Sequence, residues 1–360
     1  MSKKRIIHII KSIINNLIKV PAVFVMLIIL ISVIDKIGLP VYNSIFYGFD
    51  YLPPLWLTVV ALPVFALRTI LGYRRSASVF LAILIMHIAI SGEINFRGLT
   101  NSQPKQSSGA NNISVAAVNV QYYSKGFRSV IEGIKKINAD VVLLTENVLT
   151  DKQAEIFDSI AFPYKAITGR PESSAILTKY PIQTFKEIEF PSYQASLSSG
   201  NDIDTLHRNP HRAFLHAVID VNGTSVNIIS MRLLGGRPKD NSLFESLRWS
   251  KYLIDTHQME GDFIIDYIKT INGPVVFGGD FNAHPSSSTI KKFNKIADDS
   301  YSVSNSLLGN TFRPPFPSLR IDYLFSANGV IPVRYKKLNI ILSDHYPVYA
   351  DFIINNYGNN

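Results

Sequence analysis

The spacing of apolar residues changes character near residue 92. Before that point three long apolar stretches, Val20–Ile34, Tyr51–Leu67 and Ser76–Gly92, stand between charged residues. Each lies at or just below the short end of the roughly 17–25 residues that a membrane-spanning helix needs. The amphipathic Ile6–Ile18 segment extends the first stretch backwards, with Lys19 snorkelling to the surface, so spans are expected near residues 13–34, 51–67 and 76–92. No small-x-small cleavage site follows the first stretch, which reads as a retained helix rather than a signal peptide. His87 falls inside the third stretch and reads as a side chain facing a helix neighbour rather than as a functional intramembrane group.

Past residue 97 the pattern turns polar and then alternates. Gly98–Asn112 is small, polar and aperiodic, a flexible linker whose coil spans on the order of 20 Å. From residue 113 to 356, short β-rich runs are interleaved with helical spacing. Buried strands are expected at Ile113–Val118 and Val141–Thr145, with an amphipathic helix over Phe127–Asn138 between them. Further strands are expected at Ser174–Thr178, Ala213–Val221, Ser225–Met231, Val275–Gly278, Ile321–Ser326 and Val348–Ile353, and a helix over Ser242–Thr270. The mixture predicts an α/β domain with a sizeable core and no internal repeat.

Charge sharpens this division. Residues 1–104 carry ten Lys and Arg against Asp35, Asp50 and Glu93, which accounts for +7 of the chain's +9. The rest holds 26 basic against 24 acidic residues, so the basic balance reports membrane-flanking charge and is poor support for duplex nucleic-acid binding. Lys3, Lys4, Arg5, Lys11 and Lys19 precede the first span, and Arg68, Arg74 and Arg75 lie between the second and third. The positive-inside rule then makes both regions cytoplasmic and leaves the C-terminal domain outside. With no cysteine, thiol chemistry, cysteine metal sites and disulfides are excluded.

Polar residues recur at the strand ends: Asn119, Glu146, Asp280 with Asn282, Asp322, then Asp344 with His345. Singly each has an ordinary structural reading, Asn119 and Glu146 as caps and Asp-x-Asn as turn chemistry. Together they form a set of hard oxygen ligands that suits Mg2+, Mn2+ or Ca2+, beside a histidine able to donate or move a proton.

Five ordered motifs carry a resemblance. Gly278-Gly-Asp-Phe-Asn-Ala-His-Pro285 resembles the Gly-Asp-x-Asn signature of the endonuclease/exonuclease/phosphatase superfamily, which includes DNase I-like nucleases, exonuclease III-like repair enzymes, inositol phosphatases and neutral sphingomyelinases. Arg320-Ile-Asp-Tyr323 and Ser343-Asp-His-Tyr-Pro-Val348 match its last two motifs, and Val118-Asn-Val-Gln121 and Leu143-Leu-Thr-Glu146 its first two. Ser174–Ile182 resembles a strand that the family carries between them. The resemblance covers about Ile113–Ile354 and implies a four-layer α/β sandwich of the DNase I-like type, preceded here by a bundle of about three transmembrane helices. It also implies a divalent cation, Mg2+ first and Mn2+ or Ca2+ as alternatives, held by Glu146 with Asn119 and Asp344 nearby. Asp280 would orient or deprotonate the attacking water and Asn282 would hold a non-bridging phosphate oxygen. His345 would sit against the phosphate with Asp322 fixing its tautomer.

One position departs from the pattern. The strand that ends Thr-His-Leu in the family ends Ser230-Met231-Arg232-Leu233 here. Arg232 donates bidentately to phosphate but cannot act as a general acid at neutral pH. Tyr193–Arg212 is a long polar insertion whose His211 and Arg212 are candidate substrate contacts. The sequence therefore predicts a multi-pass protein of a bacterial inner membrane with an extracytoplasmic, metal-dependent phosphoesterase domain. Its expected substrate is a phosphodiester of nucleic acid or of a lipid head group, with no obligate protein partner indicated. The competing reading is a catalytically impaired domain of the same fold that binds a phosphorylated ligand through Arg232.

Overall fold

The computed structural model describes residues 54–90, 94–95, 111–148, 162–167, 173–191, 212–236, 242–313 and 319–355, with isolated residues 5, 9, 12, 26 and 27. The chain divides into two compact units, Met1–Ile94 and Asn95–Asn360. Apart from residues 26 and 27, the first expected span lies outside the described residues, as does the linker up to residue 110.

In the first unit, helix α1 (Pro54–Ile70) and helix α2 (Arg74–Ile90) are 17 residues each. Gly72 at φ +86° makes the turn between them, and Ala61, Phe80 and Leu84 are buried together. Helices of this length rise about 25 Å, short of the roughly 30 Å hydrocarbon layer. Among the described residues no helix is long and apolar enough to cross a membrane. The expected spans at 51–67 and 76–92 appear as two helices of the same 17-residue length, at Pro54–Ile70 and Arg74–Ile90.

The second unit starts at Asn95, whose Nδ2 donates to Tyr301 O (2.9 Å) and Ser304 O (3.0 Å). It is built on two six-stranded mixed sheets. Sheet one runs β11-β12-β1-β2-β4-β3 and sheet two β5-β6-β7-β8-β10-β9. In chain order, β1 is Asn111–Asn119, β2 Val141–Asn147, β3 Tyr164–Ile167, β4 Ser173–Thr178, β5 Ile182–Glu189 and β6 Ala213–Val221. They are followed by β7 Thr224–Arg232, β8 Val275–Asp280, β9 Asp298–Asp299, β10 Asp322–Ala327, β11 Val330–Lys337 and β12 Val348–Ile354.

Strand alternation assigns the layers. Val115, Ala117, Val141 and Leu143 of sheet one share a buried cluster with Ile228, Val276 and Leu324 of sheet two. The opposite face of sheet one, Ala116, Val118, Val142 and Leu144, is covered by helix α3 (Phe127–Ile137) through Val130, Ile131, Ile134 and Ile137. The outer face of sheet two, including Ile229, Met231, Phe277 and Phe325, is covered by helix α4 (Leu243–Lys269) and helix α5 (Ser288–Phe293). The order is therefore helix, sheet, sheet, helix. α3 ends at Asn138 in the left-handed conformation, a common helix stop. α4 starts with Ser242 Oγ accepting from Glu245 N, the capping arrangement that Ser-x-x-Glu supplies.

Strands β3, β5, β9 and β11 and helix α5 were not anticipated by the apolar pattern. β5 is an edge strand with mostly solvent-facing side chains, and β11 is an edge strand carrying Pro332, so neither has the apolar run of a central strand.

Candidate active site

Two parallel pairs bring strand ends together. β1 and β2 run parallel around α3, with Asn119 opposite Thr145 and Glu146 next in line. β7 and β8 run parallel around α4, with Arg232 opposite Asp280, and antiparallel β10 sets Asp322 opposite Asp280 on its other side. Arg232, Asp280 and Asp322 therefore occupy one rung across three strands. Gly279, at φ +136°, permits this: a Cβ there would lie 2.0 Å from Met231 O. Glu146 sits at φ 53°, inside a register break between Leu144 and Asn147, so a bulge aims its carboxylate.

The two strand ends are wired to each other. Asn119 Nδ2 donates to Asp280 Oδ2 (3.1 Å), while its Oδ1 accepts from Gln121 N (2.9 Å). Arg232 Nη2 donates to Glu146 Oε1 (2.8 Å), and its Nε lies 3.7 Å from Asp280 Oδ2. Asp280 Oδ1 accepts from Asn282 N (3.0 Å) and Oδ2 from Asn282 Nδ2 (3.1 Å). Burial pushes the Glu146 carboxyl above its usual range; Arg232 opposes the shift and Asp280 adds to it. The Asp280 carboxyl is also raised, first by burial, with His345 and Arg232 pulling against Asp322.

His345 and Asp322 form a buried pair, with Nδ1 to Oδ2 at 2.8 Å. Burial alone would lower the imidazole, but Asp322 and Asp280 outweigh it and push the group up to about 9. At neutral pH Nδ1 therefore keeps its proton and donates to Asp322, which leaves Nε2–H as the second donor. Phe312 packs on the ring at 4.9 Å, and His345 N donates to Ser343 Oγ (3.0 Å). Asp344 is half-buried; its carboxylate adds to the field on His345, and its carbonyl accepts from Arg313 N (3.1 Å).

A cation fits the charge of this site. Among the described residues, Arg232 and His345 are the cationic groups acting on Glu146 and Asp280, with Asp322 beside them, and Asp344 adds a further negative charge on His345. Ligand atoms of Asp280, Asp322 and His345 lie within 4.8 Å of one another. While His345 is protonated that trio is an ion-pair network, and Glu146, held through Arg232 beside Asp280, is a further carboxylate at the site. Oxygen donors without sulfur suit a hard cation.

The structure places the expected residues unevenly. Asn119, Glu146, Arg232, Asp280, Asn282, Asp322 and His345 converge. Asn282, expected to hold a phosphate oxygen, donates its amide to Leu233 O (3.0 Å) and Asp280 Oδ2 (3.1 Å) and so braces the carboxylate. Arg212, expected at substrate, is committed elsewhere: Nε lies 3.1 Å from Glu260 Oε1 and Nη2 donates to Arg232 O (2.8 Å). His211 lies outside the described residues. The sequence reading missed Glu260 and His257, whose polar atoms are buried on α4 against the end of β7. Their i, i+3 spacing was the available signal, but on a 27-residue helix it reads as an ordinary polar face.

Residues 116–345 match the model of the Endonuclease/Exonuclease/phosphatase family. Among solved structures, an endonuclease/exonuclease/phosphatase from Beutenbergia cavernae is 15% identical, with 68% of this chain and 72% of that one covered, at a TM-score of 0.50. A D. rerio TDP2 humanized by 14 mutations is 15% identical over 68% of this chain and 99% of that one, at 0.50. A Bacteroides thetaiotaomicron mannosyl-6-phosphatase is 16% identical over 67% of this chain and 100% of that one, at 0.50. These identities express a likeness of fold alone. A search of curated proteins finds no match.

Proposed function

The chain belongs to the endonuclease/exonuclease/phosphatase family, and on that premise we propose that its second unit is a divalent-metal-dependent phosphoesterase. The observation that carries this reading is the single rung of Arg232, Asp280 and Asp322, closed by protonated His345 on one side and by Glu146 on the other. Phosphoryl transfer is accelerated mainly by positioning and by stabilising developing charge, and this set supplies both.

Asp280, its carboxyl raised by burial, orients the attacking water and accepts its proton. Asn119 and Asn282 hold that carboxylate from two directions. Arg232 and the Nε2–H of His345 donate to the phosphoryl oxygens as charge builds. Arg232 keeps its proton throughout, so the leaving group is not protonated by this residue. Glu146, Asn119 and Asp344 would hold the cation, Mg2+ by preference, which when bound supplies Lewis-acid polarisation and neutralises phosphate charge.

The substrate in this reading is a phosphodiester or phosphomonoester from nucleic acid or a lipid head group. In this reading the apolar segments before residue 92 serve as a membrane anchor, and the Lys and Arg bias favours an extracytoplasmic catalytic unit. A cytoplasm-only reporter fused after Asn360 is expected to be silent, and a strong signal overturns this topology.

The function is tested by incubating the full chain with Mg2+, Mn2+ or Ca2+, and with chelator, against DNA, RNA and phospholipid vesicles. Cation-dependent hydrolysis of one class is expected. Phosphate binding without turnover under every condition establishes the alternative, a ligand-binding domain of the same fold.

A further inference from the structure

The end of β7, where Arg232 stands, is held by five polar bonds, buried or partly buried. Arg232 O accepts from Arg212 Nη2 (2.8 Å), Leu233 O from Asn282 Nδ2 (3.0 Å) and Leu234 O from His257 Nε2 (2.6 Å). Leu234 N donates to Glu260 Oε2 (3.0 Å), and Leu233 N donates to Asp280 O (2.9 Å). His257 and Glu260, one helical turn apart on α4, thus grip both polar groups of Leu234. Arg212 spans the remainder, with Nε 3.1 Å from Glu260 Oε1 and Nη2 3.2 Å from Oε2 while it reaches the Arg232 carbonyl. Glu260 is 1% exposed and His257 5%.

A buried ion pair of this kind is a poor investment in stability, because desolvation offsets most of its Coulomb gain. What it supplies is direction. Three consecutive carbonyls, at the last ladder rung and the two residues beyond it, would otherwise be free to reorient. Here each is fixed by a named side chain, and the guanidinium they carry is the one that reaches both Glu146 and Asp280.

We propose that Arg212, Glu260 and His257 are positioning residues that fix the Arg232 guanidinium for phosphate. The proposal rests on the phosphoesterase reading for its activity readout. Glu260→Gln keeps the shape but replaces one acceptor oxygen by a donor, and Arg212→Lys keeps the charge but loses the planar fork whose Nε and Nη2 reach Glu260 and the Arg232 carbonyl. Each is expected to lower kcat, up to the roughly 10²-fold that about 1 Å of misplacement costs, with KM nearly unchanged.

The experiment is a double-mutant cycle in the full chain with Mg2+ and bis(p-nitrophenyl) phosphate, using Glu260→Gln and Arg212→Lys with and without Arg232→Ala. In parallel, the Nε–H resonance of Arg232 is followed in 15N-arginine-labelled protein without substrate. The proposal requires that the kcat loss vanish once Arg232 is Ala, and that the resonance shift or broaden in both positioning variants. Equal losses in both backgrounds, or an unmoved resonance in folded variants, overturn it. If the parent hydrolyses neither this diester nor any substrate of the functional test, the phosphoesterase reading fails and the Arg232 resonance alone decides the positioning role. If Glu260→Gln does not fold, Arg212→Lys carries the same test.

Discussion

The Arg232 guanidinium lies 2.8 Å from Glu146, the carboxylate that stands where a cation ligand is expected. The two residues are 86 positions apart and come from different sheets, so the contact joins the two halves of the sandwich at the site. It also means that Glu146 divides its charge between an internal guanidinium and any bound cation. Glu146→Gln keeps the shape and removes that charge. It is expected to lower Mg2+-dependent hydrolysis by at least roughly 10²-fold, beyond the 10–100-fold typical of residues that only support a ligand. The melting profile should show the variant folded; full activity at the same Mg2+ concentration would exclude Glu146 as the principal ligand.

Arg232 itself is tested by a series. If its planar fork clamps phosphate, Arg232→Ala costs about 2.7–4 kcal/mol in the transition state, or roughly 10²–10³ in kcat. Arg232→Lys should not rescue, since a point charge loses the paired hydrogen bonds. Arg232→His restores the residue that the family pattern has at this place and should retain measurable turnover. Near-equal rates for all three variants and the parent would end the clamp idea.

His257 gives a pH signature in stability. Burial lowers its folded value to about 4 from the ordinary 6.5, so the unfolded chain takes up a proton first as the pH falls. The neutral, buried imidazole is fully compatible with folding above about 6.5, and stability is lost as pH drops from there toward 4. Between pH 7 and pH 5 the loss from this group is about 2 kcal/mol. In urea melts at the two pH values, His257→Gln should shrink the difference by that amount. An unchanged difference would show that folding leaves the titration of this imidazole unshifted.

The legible part of this site was the part written locally. Asn119, Glu146, Asp280, Asp322 and His345 each follow or begin an apolar run, and a strand that is buried on both faces leaves its polar groups only at its ends. Parallel pairing of β1 with β2 and of β7 with β8 then brings the ends together. Contacts between distant segments left no local trace. Glu260 looks like any acidic position on a long helix until α4 is laid on β7, and Arg212 looks like part of the polar insertion that precedes it. Asn282 was legible as a site residue but not as a brace, because its partner Leu233 O lies 49 positions away.

Gly235 tests that brace. It carries no positive φ, so alanine is compatible with its backbone, yet an added Cβ would lie 2.8 Å from both Nδ2 and Oδ1 of Asn282. Asn282 is at φ 47° and is tied to Asp280 by its backbone N–H (3.0 Å) and its amide (3.1 Å), so it cannot yield without moving the carboxylate. Gly235→Ala should therefore lower kcat by roughly tenfold, short of the 10²-fold that a full ångström of misplacement costs. Little change in melting temperature is expected, since the displacement is confined to Asn282 and the Asp280 carboxylate it holds. Asn282→Ala removes the obstructing amide. In that background Gly235→Ala should cost nothing further, and the double variant should match Asn282→Ala within about twofold. If Gly235→Ala instead lowers kcat equally with and without the amide, the glycine serves the loop and not Asn282.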